Sequence, residues 1–597
     1  MMALSMMLFL AVVTGMPVVQ LSDPFYASPD LAITSQRGMP EVVELYQTDL
    51  AALRRWWDAP LSVTAREQER RFFAAWEEGL DALDYEALEL DDRIDWLLLN
   101  DRIDYELQRL DLEEVRWEES LELLPFASTI SGLHEARRAG HSVDAREIAG
   151  RLHELSVEVE SLRERTQATE QQVGEHADAT SDDVTAETPI FVRPLLANRV
   201  ASDVRSLRRT LASWNRYHSG YDPSFTWWCA KPYAAADESL EAYAKHLRET
   251  VAGVEDDDKD AILGDPIGRD ALLTELQHEF IPYTPEELIE IAEAEFAWCQ
   301  AQMLLASQEL GFGDNWREAQ EYVKNLHVDP GDQPELIRAL AEESVDFLEE
   351  HDLLTVPEFA KNVWRMEMMS PERQKYTPYF TGGEVISVAF PTDGMEHDDK
   401  LMSLRGNNAH FARATVHHEL IPGHHLQGYM TQRHKTHRRV FSTPFWGEGW
   451  ALYWEMLLWD EDFARGPEDR IGMLFWRKHR CARILFSLGF QLGDLTADEC
   501  VDLLMERVGH ERANATAEVR RSVQGGYGPL YQAAYMLGGL QLRALHQEMV
   551  GSGRMTNREF HDAVLRQGSV PVELVRTTLK GELPPQDFQT SWRFYDD

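Results

Sequence analysis

Cysteine is scarce in this chain, with only Cys229, Cys299, Cys481 and Cys500 among 597 residues. None forms a C-x-x-C pair, and four are too few for a disulfide framework, so the cysteines do not mark a redox compartment. Basic residues are also short: 58 Lys and Arg stand against 103 Asp and Glu, a formal net charge of −45. Nucleic acid and anionic membrane surfaces both require a basic footprint, so the balance argues against either as a partner. Beyond the N-terminus no apolar run is long enough to span a bilayer. Strand-like alternation is rare as well.

What the chain has is helical periodicity. Leu152, Leu155, Val159 and Leu162 make an apolar stripe in a charged background, and Trp96, Leu99, Ile103, Leu107 and Leu110 make another. Thr284-Pro285-Glu286-Glu287 predicts a helix start, with Thr284 capping, Pro285 in the first turn and Glu287 closing a capping box. The best strand is Glu384–Phe390, between Gly382-Gly383 and Pro391. It reads either as an edge strand lining a cleft or as a small structural hairpin. At 44% hydrophobic and 27% charged, the composition is that of a soluble globular protein. The expected fold is mostly α, a large helical assembly with a deep cleft and a small β-sheet near the cleft. Residues 1–22 read as a possible signal peptide, because Met2–Val19 is apolar and uncharged although a basic start and an A-x-A site are missing. Export is the expected localisation and the cytoplasm the alternative. Residues 23–265 then form an N-terminal helical region and 266–597 a C-terminal catalytic one. Residues 167–188 and the acidic stretch Asp256-Asp257-Asp258 read as connections.

Chemistry concentrates in His418-Glu419-Leu420-Ile421-Pro422-Gly423-His424-His425 and, downstream, Glu448 to Glu455. Two imidazoles and a carboxylate suit a divalent metal, typically zinc with one open position. A glutamate beside a ligand histidine is where a metal-activated water needs its base. The spacing is wrong for a straight helix. The position one turn after His418 is Pro422, which cannot ligate. His424 would lie about 240° round the axis, and His425 about 10 Å along it. The helix must therefore be distorted, and Pro422-Gly423 is the expected place: proline breaks the ladder and glycine permits positive φ. Extruding two residues aligns His424, whereas His425 needs three, so His424 is preferred.

These motifs, with Trp214-Asn215 through Gly220-Tyr221-Asp222, Tyr283–Leu288 and Glu448–Ala451, resemble the bacterial family catalogued as domain of unknown function 885, from about residue 40 to the end. That family is regarded as gluzincin-type zinc metallopeptidases. More distantly the site resembles the thimet-oligopeptidase and thermostable-carboxypeptidase families, whose third ligand is a glutamate about thirty residues after the first histidine, with another seven later. The resemblance implies Glu448 as the third metal ligand and Glu455 as the residue behind a ligand. It also implies that tyrosines of Gly526–Tyr535, namely Tyr527, Tyr531 and Tyr535, contact the transition state. Where those oligopeptidases carry a histidine five residues before the first tyrosine, this chain has Ser522. Packing alone could equally account for the tyrosine spacing, and Trp446, Trp450 and Trp454 read as core.

The expected function is a zinc-dependent peptidase acting on peptide substrates. His418, His424 and Glu448 hold zinc, Glu419 is the base, and a tyrosine stabilises the oxyanion. One alternative is a facial-triad non-haem iron oxygenase, which uses the same three ligand types but has no task for Glu419. The other is a catalytically inert helical peptide-binding protein. The residues leave endo- and exopeptidase action equally open and do not fix an oligomeric state.

Overall fold

The computed structural model describes residue 29, residue 31, and residues 38–168, 188–255, 261–374, 380–524 and 526–595. The expected signal segment, Asp256–Asp258 and nearly all of the 167–188 connection lie outside them. Described residues are mostly helical, and their strands make only two two-stranded parallel sheets.

The helices begin with α1 (Met39–Trp56), α2 (Val63–Asp81), α3 (Leu90–Ser120), α4 (Ala127–Arg138) and α5 (Ala145–Arg165). Strands β1 (Thr166–Ala168) and β2 (Ile190–Val192) pair before α6 (Pro194–Ser219) and α7 (Pro223–His246). Then come α8 (Arg269–His278), α9 (Pro285–Glu309), α10 (Trp316–Lys324), α11 (Gln333–Glu350) and α12 (Glu358–Val363). Strands β3 (Arg365–Met368) and β4 (Val385–Val388) precede α13 (His397–Gly406), α14 (Ala409–Glu419), α15 (His424–Thr431), α16 (Pro444–Asp460) and α17 (Pro467–Leu492). The chain closes with α18 (Ala497–Leu503), α19 (Arg512–Gln524), α20 (Tyr531–His546), α21 (Asn557–Leu565) and α22 (Val572–Lys580).

The apolar stripes do what their period requires. Leu152, Leu155, Val159 and Leu162 of α5 are buried, and so are Trp96, Leu99, Ile103 and Leu110 of α3, with Leu107 packed alongside. The capping box at Thr284 forms: Thr284 Oγ1 accepts from Glu287 N while Glu287 Oε2 accepts from Thr284 N. Asp222, in the first family-like segment, caps α7 by accepting from Ser224 N and Phe225 N.

The interior does not divide at residue 265. Helices α4–α7 share one apolar cluster. Helices α1–α3 instead pack into the same cluster as α15, α16 and the C-terminal helices α21 and α22. A second large cluster is built around α9, α17 and α20. A small one joins α11 and α14 to the β3–β4 pair.

The predicted strand is shorter than Glu384–Phe390 and takes part in two pairings, one parallel and one a single antiparallel bridge to the segment just before it. Val385–Val388 pairs in parallel with Arg365–Met368. On its other side, Ser387 exchanges both backbone hydrogen bonds with Thr381. The strand is thus not an open edge at Ser387, and Phe380–Gly382 lies between it and the cavity described next. The partner Arg-Met-Glu-Met is short and mostly exposed and has no β-branched or aromatic residue, which is why its sequence gives little strand signal.

Candidate metal centre

Helix α14 is buried on nearly every side. Asn408 caps it, accepting from His410 N and Phe411 N. Arg413 anchors it through Nη2, which lies 2.7 Å from each carboxylate oxygen of Glu343 on α11, and through Nη1, which donates to the Phe463 carbonyl at 3.2 Å. At its start α14 touches α17 where Gly472 leaves room: any Cβ there would overlap the His410 carbonyl.

The helix stops at Glu419 and a new one, α15, starts at His424. Two hydrogen bonds describe the break. Gly423 N donates to His417 O at 2.9 Å and Leu426 N to Leu420 O at 3.3 Å. Each spans six residues, as an α-helical bond would with two residues inserted. The non-helical residues between the two helices are Leu420–Gly423, so the interruption includes the expected Pro422-Gly423, and both spans enclose Ile421 and Pro422. Their carbonyls are satisfied from outside: Ser344 Oγ donates to Ile421 O at 2.9 Å and Trp450 Nε1 to Pro422 O at 2.8 Å. Gly423 has φ −77°, so positive φ is not its role. It is needed for space, because a Cβ would overlap the His418 carbonyl.

The break brings His424 beside His418. The His424 Nε2 atom is 3.1 Å and the His418 Nε2 atom 3.6 Å from Glu448 Oε2. His425 turns away, its Nε2 donating to the Ala360 carbonyl at 2.8 Å. Helix α16 delivers Glu448 by crossing α20 at glycines: a Cβ on Gly449 would sit 2.6 Å from Gly538 Cα, and one on Gly538 would overlap the Phe445 carbonyl. The same crossing sets Tyr531 against Glu448, its hydroxyl donating to Oε1. Tyr535 stacks along His418 with centroids 6.1 Å apart. Tyr527 is 40% exposed and packs on Tyr531 at the cavity rim. Glu455, seven residues beyond Glu448, accepts from His418 Nδ1 at 2.7 Å. This leaves His418 Nε2 free to face Glu448. Gln427 plays a looser part at His424, its Oε1 3.4 Å from Nδ1, while its Nε2 is tied to the Trp446 carbonyl.

Ligand atoms of His418, His424 and Glu448 all lie within 4.8 Å of one another, the only such group among the described residues. A tetrahedral ion with bonds of about 2.0–2.1 Å holds its ligand atoms about 3.3 Å apart. The contacts of 3.1 and 3.6 Å bracket that spacing, so the residues fit a zinc-sized ion.

Electrostatics are those of a desolvated cluster. Burial opposes ionisation of Glu448, yet His424 and His418 hold its carboxyl well below the usual range. Burial likewise disfavours a charged His424, but Glu448 outweighs it and raises the imidazole to about 9. Glu419 is raised by burial, with His418 and His424 pulling the other way. Its carboxylate packs on the backbone of Gly382, where any Cβ would overlap it, and Gly383 N donates to the Glu419 carbonyl at 3.2 Å.

Glu419, the three candidate ligands and the three tyrosines line one cavity of about 360 Å³. Ser522 is hydrogen-bonded instead to the Glu518 carbonyl and to Gln532. Among the lining residues not singled out from sequence are Arg480, Arg483 and Arg521. The signal was there, since Arg477, Arg480 and Arg483 recur every three residues in a helix that is otherwise largely apolar. The tryptophans read as core are buried, though Trp450 also supports the helix break.

No curated protein matches the chain. Two solved structures share its fold. One is a proposed lipoprotein of unknown function from Shewanella oneidensis, with TM-score 0.65 and 15% identity over 91% of this chain and 100% of that one. The other is a proposed lipoprotein from Colwellia psychrerythraea, with TM-score 0.53 and 14% identity over 91% and 99%. A family model matches residues 46–579, and the chain therefore belongs to the family of bacterial proteins of unknown function DUF885.

Proposed function

We propose that this protein is a zinc-dependent peptidase. The observation that carries the proposal is the convergence of His418, His424 and Glu448 beside a desolvated Glu419, all facing one cavity. Bound there, zinc would supply a Lewis acid and lower the pKa of water toward ~7. The protein's own groups do the rest. Glu455 fixes the tautomer and orientation of His418. Glu419, its carboxyl raised by burial, is suited to take a proton from the attacking water and return it to the leaving amine. The Tyr531 and Tyr535 hydroxyls stay protonated: burial pushes Tyr535 up to about 12 and Tyr531 further. Tyr535 can therefore donate to an oxyanion, whereas the single Tyr531 proton is held by Glu448 Oε1 and must leave it to do so. The Phe380–Gly382 segment borders the cavity beside Glu419, where an extended substrate could lie.

Export is part of the proposal. It is supported by the apolar Met2–Val19 and by the description of both similar structures as lipoproteins. No described helix is long and apolar enough to cross a membrane.

The test is mass spectrometry of a peptide pool incubated with the protein, with and without chelator, alongside metal analysis of protein purified without added metal. Chelator-sensitive cleavage with about one zinc per chain is expected. Bound iron with no cleavage would favour the oxygenase reading instead.

A further inference from the structure

The cavity that holds the candidate metal residues also holds three arginines with few aligned carboxylate partners. Arg480 and Arg483 sit three residues apart on α17 and are 6% and 3% exposed. Arg521 reaches in from α19. Their carboxylate partners are few. Glu518 accepts from Arg483 Nε at 2.6 Å and stands 3.3 Å from Arg521 Nε without an aligned hydrogen bond. Glu455 is 3.6 Å from Arg480 but is already committed to His418 Nδ1 at 2.7 Å. Arg480 Nε and Arg483 Nη1 are buried without any hydrogen-bond partner.

Buried guanidinium groups left without acceptors are costly in a folded protein. Part of the charge rests on aromatic faces, since Arg480 and Arg483 lie 4.6 and 4.4 Å from the Tyr535 ring centroid. A ring face offers no lone pair to a guanidinium fork, whereas a carboxylate does. The charge count agrees. With a divalent ion bound, five positive charges would face four on Glu518, Glu455, Glu448 and Glu419, a surplus of one. The local surplus of one cation occurs in a chain whose net charge is −45, so it is not a by-product of composition. Tyr535 links the two halves of the cavity, touching His418 on one hand and both α17 guanidinium groups on the other.

We infer that Arg480, Arg483 and Arg521 form a subsite for a substrate carboxylate within reach of the metal centre. If the carboxylate is the free C-terminus, the protein removes residues from peptide C-termini. If it belongs to a Glu or Asp side chain, cleavage is internal and acid-selective. This deepens the peptidase proposal and rests on it for the meaning of the metal centre.

The test separates the two. Zinc-loaded Glu419→Gln protein is titrated by calorimetry with a tripeptide acid, with the same tripeptide amidated, and with amidated tripeptides carrying Glu or Gln. The carboxylate-bearing ligand should bind about 10- to 100-fold more tightly than its neutral twin, as expected for charge-assisted hydrogen bonds. Arg521→Gln should lose most of that ratio while leaving the affinity for the neutral peptide and the zinc content unchanged. Arg480→Gln, checked for fold and zinc, should do the same. A preference for the tripeptide acid assigns the C-terminus as the source, and a preference only for the internal Glu assigns the side chain. Equal binding of charged and neutral peptides, or discrimination that survives Arg521→Gln, overturns the subsite. Carboxylate-selective binding by a protein that hydrolyses nothing would remove the peptidase reading and leave the subsite standing.

Discussion

At the residue scale the neighbours of the two candidate histidines set clear expectations. His418 Nδ1 is held by Glu455 and its Nε2 faces Glu448. Removing Glu448 deletes a ligand, whereas removing Glu455 only frees the ring to rotate. Glu448→Ala should therefore abolish tight zinc binding, and Glu455→Ala should weaken it by about 10- to 100-fold. Zinc titration of both variants checks the order, and the reverse order would exchange their roles. The histidine pair differs in the same way. His424→Ala should lose the metal, because its Nε2 is one of the three clustered atoms. His425→Ala removes only a bond to the Ala360 carbonyl and should retain it. Glu419 touches no candidate ligand atom, so Glu419→Gln should keep zinc and fold while turnover falls by about 10²- to 10⁴-fold. Near-normal hydrolysis by the zinc-loaded variant would show that the proton leaves by another route.

At the element scale the site depends on two places where backbones come closer than a side chain allows. The first is the α14–α15 break. Gly423→Ala would drive a methyl into the His418 carbonyl and separate the two histidines. Zinc affinity should drop although every candidate ligand is still present, and normal affinity would mean that the break is not what aligns them. The second is the α16–α20 crossing. Gly538→Ala forces the helices apart and should cost about 1–3 kcal/mol of stability, as overpacking does. It should also lengthen the Tyr531–Glu448 contact, readable as a loss of zinc affinity alongside a lower denaturation midpoint. A Gly538→Ala protein with wild-type midpoint and zinc affinity would argue against a tight crossing.

At the scale of the whole molecule, buried histidines make stability depend on pH. His561 is enclosed, with Nδ1 donating to the Leu353 carbonyl and Nε2 accepting from the Tyr453 hydroxyl. Burial holds it down to about 3. His510 shares one proton with His479 across 2.9 Å and is likewise lowered by burial to about 3. Each has a folded pKa below the unfolded value of about 6.5, so the unfolded chain binds more protons between those limits. The stability that each histidine contributes is therefore full above about pH 6.5 and falls as the pH drops toward 3. Between pH 7.5 and 5 each histidine should cost on the order of 2 kcal/mol. Urea midpoints across that range test the slope, and His561→Gln should flatten it. A slope that His561→Gln leaves unchanged would contradict the assignment.

Much of this was legible in the residues, for local reasons. A 3.6-residue period reports which face of a helix is buried, so the α3 and α5 stripes could be read without a partner in view. Thr284 caps its helix through atoms three residues away. The mismatch between His418 and His424 is arithmetic on the helix rise, and it required an interruption somewhere in the intervening residues.

Tertiary structure decided the rest, because it depends on atoms far apart in sequence. The break between α14 and α15 is held by donors from Ser344 and Trp450, which satisfy the Ile421 and Pro422 carbonyls. The strand is not an open edge at Ser387, since a segment without strand character pairs with β4 and Thr381 folds back onto it. Helices α1–α3 share a core with residues beyond 420, which no composition shift near 265 could reveal. The three arginines enter the cavity only because α17 and α19 pack around Tyr535. Sequence determined which helices and which candidate metal-binding side chains this protein has, because those are set by neighbours within a few turns. Only the packing of those helices decided what surrounds the ligands, because burial and charge balance belong to the assembled interior.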